Sequence, residues 1–166
     1  RVNITFDAYH KLTDKVAISY DWQYTTWSDF GDIVATSKTA GECTPAGSVC
    51  LEKGEDFDNS SRFSIGTEYY LSEAVTLRAG YAYDEQAGKS TLSIPDTDRQ
   101  WFTTGMTYRT SPTLSFDFAA AYILGKDGKF DEEIPSFGKV PGMPTSATFE
   151  SESAAYIVSA QMNYSF

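Results

Sequence analysis

Few side chains in this sequence have types and spacing suited to chemistry. There is one histidine, His10, with Thr13 and Asp14 close behind it. A Ser–His–Asp hydrolase needs its imidazole held inside a site, between a nucleophile and a carboxylate. His10 instead falls where the chain is expected to turn, and it reads as a turn residue. The run Asp127-Gly128-Lys129-Phe130-Asp131-Glu132-Glu133 is acidic. It lacks the Asp-x-Asp-x-Asp-Gly spacing of a calcium-binding EF-hand loop and reads as a solvated surface loop. Asn59-Ser60-Ser61 fits a glycosylation sequon, a three-residue match that decides nothing alone. Cys43 and Cys50 lie in a stretch rich in Gly, Thr, Pro and Ser, with no further ligands spaced for zinc. They read as a small loop disulfide, the alternative being two unpaired thiols. No catalytic constellation, metal site or cofactor is expected.

Charged residues inside alternating segments carry more information. Folding the chain about Ser72–Ala74 sets Glu68 opposite Arg78, on the same face, as a cross-strand ion pair. Asp21, Asp84 and Asp117 fall on that face too. Such residues need a scaffold, and the sequence supplies one. Period-two alternation marks candidate strands at residues 2–10, 15–27, 62–71, 75–84, 100–109, 113–124 and 153–166. In the second, Val16, Ile18, Tyr20, Trp22 and Tyr24 share one face, while Ala17, Ser19, Asp21, Gln23 and Thr25 share the other. Most segments are close to the 9–11 residues that a tilted membrane strand requires. Pro95 cannot donate to a ladder, so Ser93 to Arg99 reads as a loop entering a strand. Asp96 and Asp98, flanking Thr97, are placed to bond back to the chain.

Composition alone points elsewhere. The net charge is -10 and the mean hydropathy is -0.35, values typical of a soluble acidic protein. Membrane barrels give the same average, because polar lumenal residues alternate with apolar lipid-facing ones. No apolar run is long enough for a membrane helix. The acidic excess argues against nucleic acid as a partner. Alternation also fits a soluble sandwich with its apolar faces turned inward. The connections separate the two. Short links at Lys11–Asp14, Ser72–Ala74 and Thr110–Pro112 alternate with long ones at Ser28–Ser61, Glu85–Arg99 and Gly125–Glu152. Outer-membrane barrels have short periplasmic turns and long external loops. The last segment sets Tyr156, Val158, Ala160, Met162, Tyr164 and Phe166 in register. It resembles the C-terminal signal read by the barrel-assembly machinery, which would place Phe166 and the short turns on the periplasmic side. Seven strands are odd, where single-chain bacterial barrels have even numbers. With Arg1 opening in mid-pattern, the chain reads as the C-terminal part of a longer protein.

Ile94-Pro95-Asp96-Thr97-Asp98-Arg99 followed by Trp101 resembles the FadL family of outer-membrane long-chain fatty acid transporters. So do Tyr9-His10-Lys11-Leu12-Thr13-Asp14-Lys15 leading to Tyr24-Thr25-Thr26-Trp27-Ser28-Asp29-Phe30, and the closing Asn163-Tyr164-Ser165-Phe166. The resemblance implies an all-β, 14-stranded transmembrane antiparallel β-barrel with a small hatch domain, of which residues 1–166 would supply about seven strands as the C-terminal half. It implies passive uptake of long-chain fatty acids or similar hydrophobic compounds, with no cofactor. The partners would be such a ligand, outer-membrane lipid and lipopolysaccharide, the assembly machinery and the missing N-terminal half of the barrel. A fatty acid needs an apolar pocket for its tail and a cation for its carboxylate. Lys53, in Lys53-Gly54-Glu55, is similar in place to a family lysine near the ligand head group. Arg62 is the second candidate. Tyr70 and Trp101 face inward and would line the tail pocket or pack against the hatch. An alternative function is a surface protein whose long loops, 28–61 and 125–152, act as adhesin or receptor.

Overall fold

A computed structural model describes residues 2–29, 33–39, 49–53, 57–91, 94–133 and 146–166. Alternation of apolar and polar residues produces strands wherever it runs. They are β1 (Asn3–Lys11), β2 (Val16–Thr25), β3 (Ile33–Thr36), β4 (Val49–Lys53), β5 (Ser60–Tyr70), β6 (Val75–Asp84), β7 (Arg99–Ser111), β8 (Leu114–Gly125), β9 (Gly128–Glu133), β10 (Ser146–Ser151) and β11 (Ala154–Tyr164). Seven form one antiparallel sheet in the order β1-β2-β5-β6-β7-β8-β11. These are the seven strands expected from the alternation. Hairpins β3–β4 and β9–β10 stand apart from the sheet, within the two longest connections.

Each short turn is tied by a hydroxyl that offers the backbone an acceptor. Thr13 Oγ1 accepts from the N–H of Lys15 (3.1 Å) and Val16 (3.0 Å). Ser72 Oγ accepts from Val75 N–H at 3.1 Å, and Ser111 Oγ from Leu114 N–H at 3.1 Å. These turns define one end of the sheet, the turn end; the long connections define the loop end.

The sheet is a single layer. Among the described residues, the buried apolar ones are Ala17, Ala82 and Phe130, while Ile4, Phe6, Trp22, Phe63, Ile65, Tyr81, Phe102, Phe118 and Met162 are exposed. A sandwich would bury such a face against a second sheet; here it is the outer face of a barrel wall. Aromatic rings tile it across strands: Trp22 and Phe63 at 6.5 Å, Tyr81 and Phe102 at 5.3 Å, Phe102 and Tyr122 at 6.4 Å, Tyr122 and Tyr156 at 4.7 Å between centroids. Two outward threonines donate to backbone carbonyls of the neighbouring strand, Thr67 to Ala17 O and Thr104 to Arg78 O, both at 3.2 Å.

Three expectations are corrected. His10 lies within β1, not in a turn, because the ladder continues to Lys11↔Ala17. Its ring stacks on Tyr20 at 5.7 Å, and Nε2 and the Tyr20 hydroxyl are 3.2 Å apart. The acidic run after Asp127 is β9, paired to β10 with Phe130 opposite Phe149, and not an irregular loop. The final strand ends at Tyr164, although Ser165 N–H still donates to Thr113 O at 2.9 Å.

Candidate functional site

The inner face of the sheet carries the polar residues, and the register sorts them by height. Near the turn end a hydrogen-bonded belt crosses the wall. Glu68 stands opposite Arg78, as folding about Ser72–Ala74 requires, and accepts from Arg78 Nε at 2.7 Å. Glu68 Oε2 also accepts from the hydroxyls of Tyr70 (2.8 Å) and Tyr9 (3.0 Å), which are 2.9 Å from each other. Arg78 Nη1 continues to Thr107 Oγ1 at 2.7 Å. Thr107 donates to Asp117, and Asn163 Nδ2 donates to the other carboxylate oxygen of Asp117 at 2.6 Å. The belt therefore joins β1, β5, β6, β7, β8 and β11.

Above the belt the residues shrink. Ser19, Gly66, Gly80, Thr103 and Ala121 form one cross-strand row. A Cβ on Gly80 would meet Thr103 Oγ1 at 2.7 Å, and one on Gly66 would meet Ser19 Oγ at 2.9 Å, so only glycine leaves this surface level. The result is a trough of about 490 Å³ bounded by Tyr9, Glu68 and Arg78 at one end and by Arg62 and Trp101 at the other.

A second hollow of about 430 Å³ lies at the loop end, lined by Trp27, Phe57, Ile94, Arg62, Asp84 and Arg99 among others. Arg62 lines both. Its guanidinium lies over the Trp101 ring, 4.9 Å from the centroid. Arg99 bridges two acids, Asp84 at 3.2 Å and Asp96 at 3.3 Å. The loop after β6 is pinned by carboxylates: Asp96 accepts from Ala87 N–H and Asp98 from Gln86 N–H, each at 2.9 Å. The Gln86 N–H holds the Asp98 carboxyl below the usual aspartate range, aided by the Tyr83 hydroxyl and by Lys126 at 3.9 Å. Both acids bond back to the chain, as their flanking of Thr97 suggested. Among the described residues no His, Cys, Asp or Glu cluster is arranged to hold a metal ion.

The structure brings Arg62 and Trp101 together and keeps Tyr70 apart. Tyr70 pairs with Thr76 and Trp101 with Ala82, six residues along β6 and roughly 20 Å apart. Tyr70 belongs to the belt. Lys53 ends β4, opposite Ile33; its side chain lies outside the described residues. So does Cys43, while Cys50 is on β4 and no described cysteine is free. Sequence reasoning missed Arg99 as an ion-pair centre, Tyr9 in the belt and Asn163 on Asp117. Alternation could have put all three on the inner face, but their partners follow only from the register.

A single-layer antiparallel wall, apolar outside and polar inside, with short turns at one end and long loops at the other, is that of an outer-membrane β-barrel. The model of the outer membrane protein transport protein family (OMPP1/FadL/TodX) matches residues 3–166. The chain belongs to that family. It is 39% identical over 160 residues to the 47 kDa outer membrane protein of Pasteurella multocida strain Pm70, covering 95% of this chain and 33% of that one. Against outer membrane protein P1 of Haemophilus influenzae the identity is 36%, covering 98% and 35%. Against the long-chain fatty acid transport protein of Escherichia coli O6:H1 it is 35%, covering 95% and 33%. The chain spans about a third of the length of these relatives. Its fold is similar to that of the crystal structure of a Pseudomonas aeruginosa FadL homologue, with a TM-score of 0.75 at 21% identity, covering 98% of this chain and 35% of that one. It is also similar to the CymD monoaromatic hydrocarbon channel, with a TM-score of 0.60 at 19% identity and the same coverages.

Proposed function

We propose that this chain is the C-terminal half of a 14-stranded barrel, of which it supplies about seven strands, and that the barrel takes up long-chain fatty acids or similar hydrophobic compounds by passive diffusion. The observation that carries the reading is the inner face itself. An open trough floored by small residues leads from Arg62 and Trp101 towards the belt, and a cation beside an aromatic wall suits an amphiphile with an acidic head. The relatives named for long-chain fatty acid transport support the same substrate class. No step in such uptake needs a catalytic group or cofactor. The barrel-assembly machinery, lipopolysaccharide and a preceding half-barrel pairing along β1 and β11 are the partners this reading requires.

Within it, Lys53 and Arg62 are the head-group candidates and Trp101 lines the tail path; Tyr70 has a structural place in the belt. Fatty acid uptake by cells lacking their own transporter tests the proposal. Uptake should be restored by the intact protein, and no restoration would defeat it. Lys53→Ala should weaken fatty acid binding by the intact protein; unchanged affinity removes Lys53 from the site. A second reading, a surface receptor or adhesin, is favoured by the paired hairpins β3–β4 and β9–β10, which give the long loops defined strands. Deleting the β9–β10 hairpin, which holds no head-group candidate, should abolish adhesion while sparing uptake.

A further inference from the structure

Arg62 and Arg99 both stand directly opposite Asp84 in the ladder, one from each neighbouring strand. A carboxylate between two arginines can serve either. Here Asp84 pairs with Arg99 at 3.2 Å, and Arg99 is held in place by Asp96 on its other amino group at 3.3 Å. Arg62 is left over. Among the described residues no carboxylate lies within ion-pair distance of it, and its one close partner is the Trp101 ring. Beside it, the indole Nε1 of Trp101 is buried with no hydrogen-bond partner. A guanidinium without an anion and an indole N–H without an acceptor thus lie together where the two inner hollows meet.

We propose that Arg99 is a positioning residue for ligand selection. By occupying Asp84 it keeps Arg62 free, and Arg62 then favours amphiphiles with a single negative head group over uncharged ones. The physical reason is competition. A built-in carboxylate at ion-pair distance would neutralise Arg62 and leave an incoming anion nothing to gain. With Asp84 turned to Arg99, the anion meets an uncompensated planar donor, the geometry that binds carboxylates in bidentate fashion. The cation–π contact with Trp101 holds the guanidinium without engaging its N–H donors in a hydrogen bond. The inference rests on the transport reading above for the ligand's apolar tail, but it concerns charge alone.

The test uses the intact protein in detergent, with oleate and methyl oleate as probes, each variant first shown to migrate as a folded barrel on unheated gels. Arg99→Gln should release Asp84 towards Arg62 and weaken oleate binding roughly tenfold, while methyl oleate stays within about twofold. Adding Asp84→Asn to Arg99→Gln removes the competing acid and should restore oleate binding, a rescue that mere structural damage at Arg99 would not show. Asp84→Asn alone should bind oleate at least as tightly as the unaltered protein, which keeps the inference testable if Arg99→Gln does not fold. Unchanged oleate affinity in Arg99→Gln, no rescue in the double variant, or weaker oleate binding in Asp84→Asn each overturns it. Failure of the unaltered protein to bind either probe would overturn the transport reading, and the inference with it. Equal loss of both probes in Arg99→Gln would overturn the inference alone.

Discussion

Replacing Glu68 with alanine removes the acceptor at the centre of the inner belt. Three donors lose their partner at once: Arg78 Nε at 2.7 Å, the Tyr70 hydroxyl at 2.8 Å and the Tyr9 hydroxyl at 3.0 Å. Hydrogen bonds to a charged group contribute about 1.5–3 kcal/mol each when buried. These are not fully buried, since the Glu68 side chain keeps 25% and the Arg78 side chain 42% of its exposure. Water can replace part of what is lost, so each bond falls to well under its buried value. Neighbouring contacts also survive: the two tyrosine hydroxyls still meet at 2.9 Å, and Arg78 keeps Thr107. The expected destabilisation is about 2 kcal/mol for Glu68→Ala and about 1 kcal/mol for Glu68→Gln, whose amide oxygen can still accept. Urea unfolding of the intact barrel in lipid vesicles, followed by tryptophan fluorescence, measures both. A double-mutant cycle with Arg78→Ala should return a coupling of about 1 kcal/mol. A coupling within about 0.3 kcal/mol of zero, or an alanine variant as stable as the parent, would show that the belt adds nothing and would refute the reasoning.

Asp98 gives a pH prediction for the loop it pins. Its carboxyl is held below the usual range, so its contribution is complete above the unfolded aspartate value of about 4 and disappears as pH falls through the lower folded value. Amide exchange at Gln86 should stay protected down to about pH 4 and lose protection below it. Asp98→Asn should abolish that acid step. Ala119 faces the trough with room around it, so Ala119→Leu should leave folding intact and reduce uptake several-fold; unchanged uptake would place the ligand path elsewhere. For the loop cysteines, alkylation of the unreduced protein should label neither Cys43 nor Cys50 and, after reduction, both. Labelling before reduction would show two free thiols.

Much of the wall was legible because one rule, alternation, governs all seven strands of the main sheet. It placed Glu68 opposite Arg78, since that pair depends only on a tight turn at Ser72–Ala74. It put Arg62, Tyr70 and Trp101 on one face, but a face says nothing of height, and the register separates Tyr70 from the other two. Asn163 reaching Asp117 depends on β11 pairing with β8 across a long connection, a distance over which no local rule operates. The hairpins in the long loops escaped notice because their strands are only four to six residues long, and in β9 a single apolar residue, Phe130, is too little to show an alternation. His10 looked like a turn residue by its polarity. Facing outward, it satisfies one ring nitrogen on Tyr20, a neighbour that only the paired strand supplies.

The outward threonines bear on how such walls should be read at all. Thr67 and Thr104 each direct the hydroxyl at a carbonyl of the adjoining strand, and a carbonyl already in the ladder still has a second lone pair to accept it. What remains for the hydrocarbon is a methyl group. In that setting threonine is chemically a small valine, and a hydropathy scale that scores it as polar counts a group the lipid never meets. The oily side of this barrel is therefore drier than its composition states, and substitution of Thr67 or Thr104 by valine amounts to a change of label more than of surface.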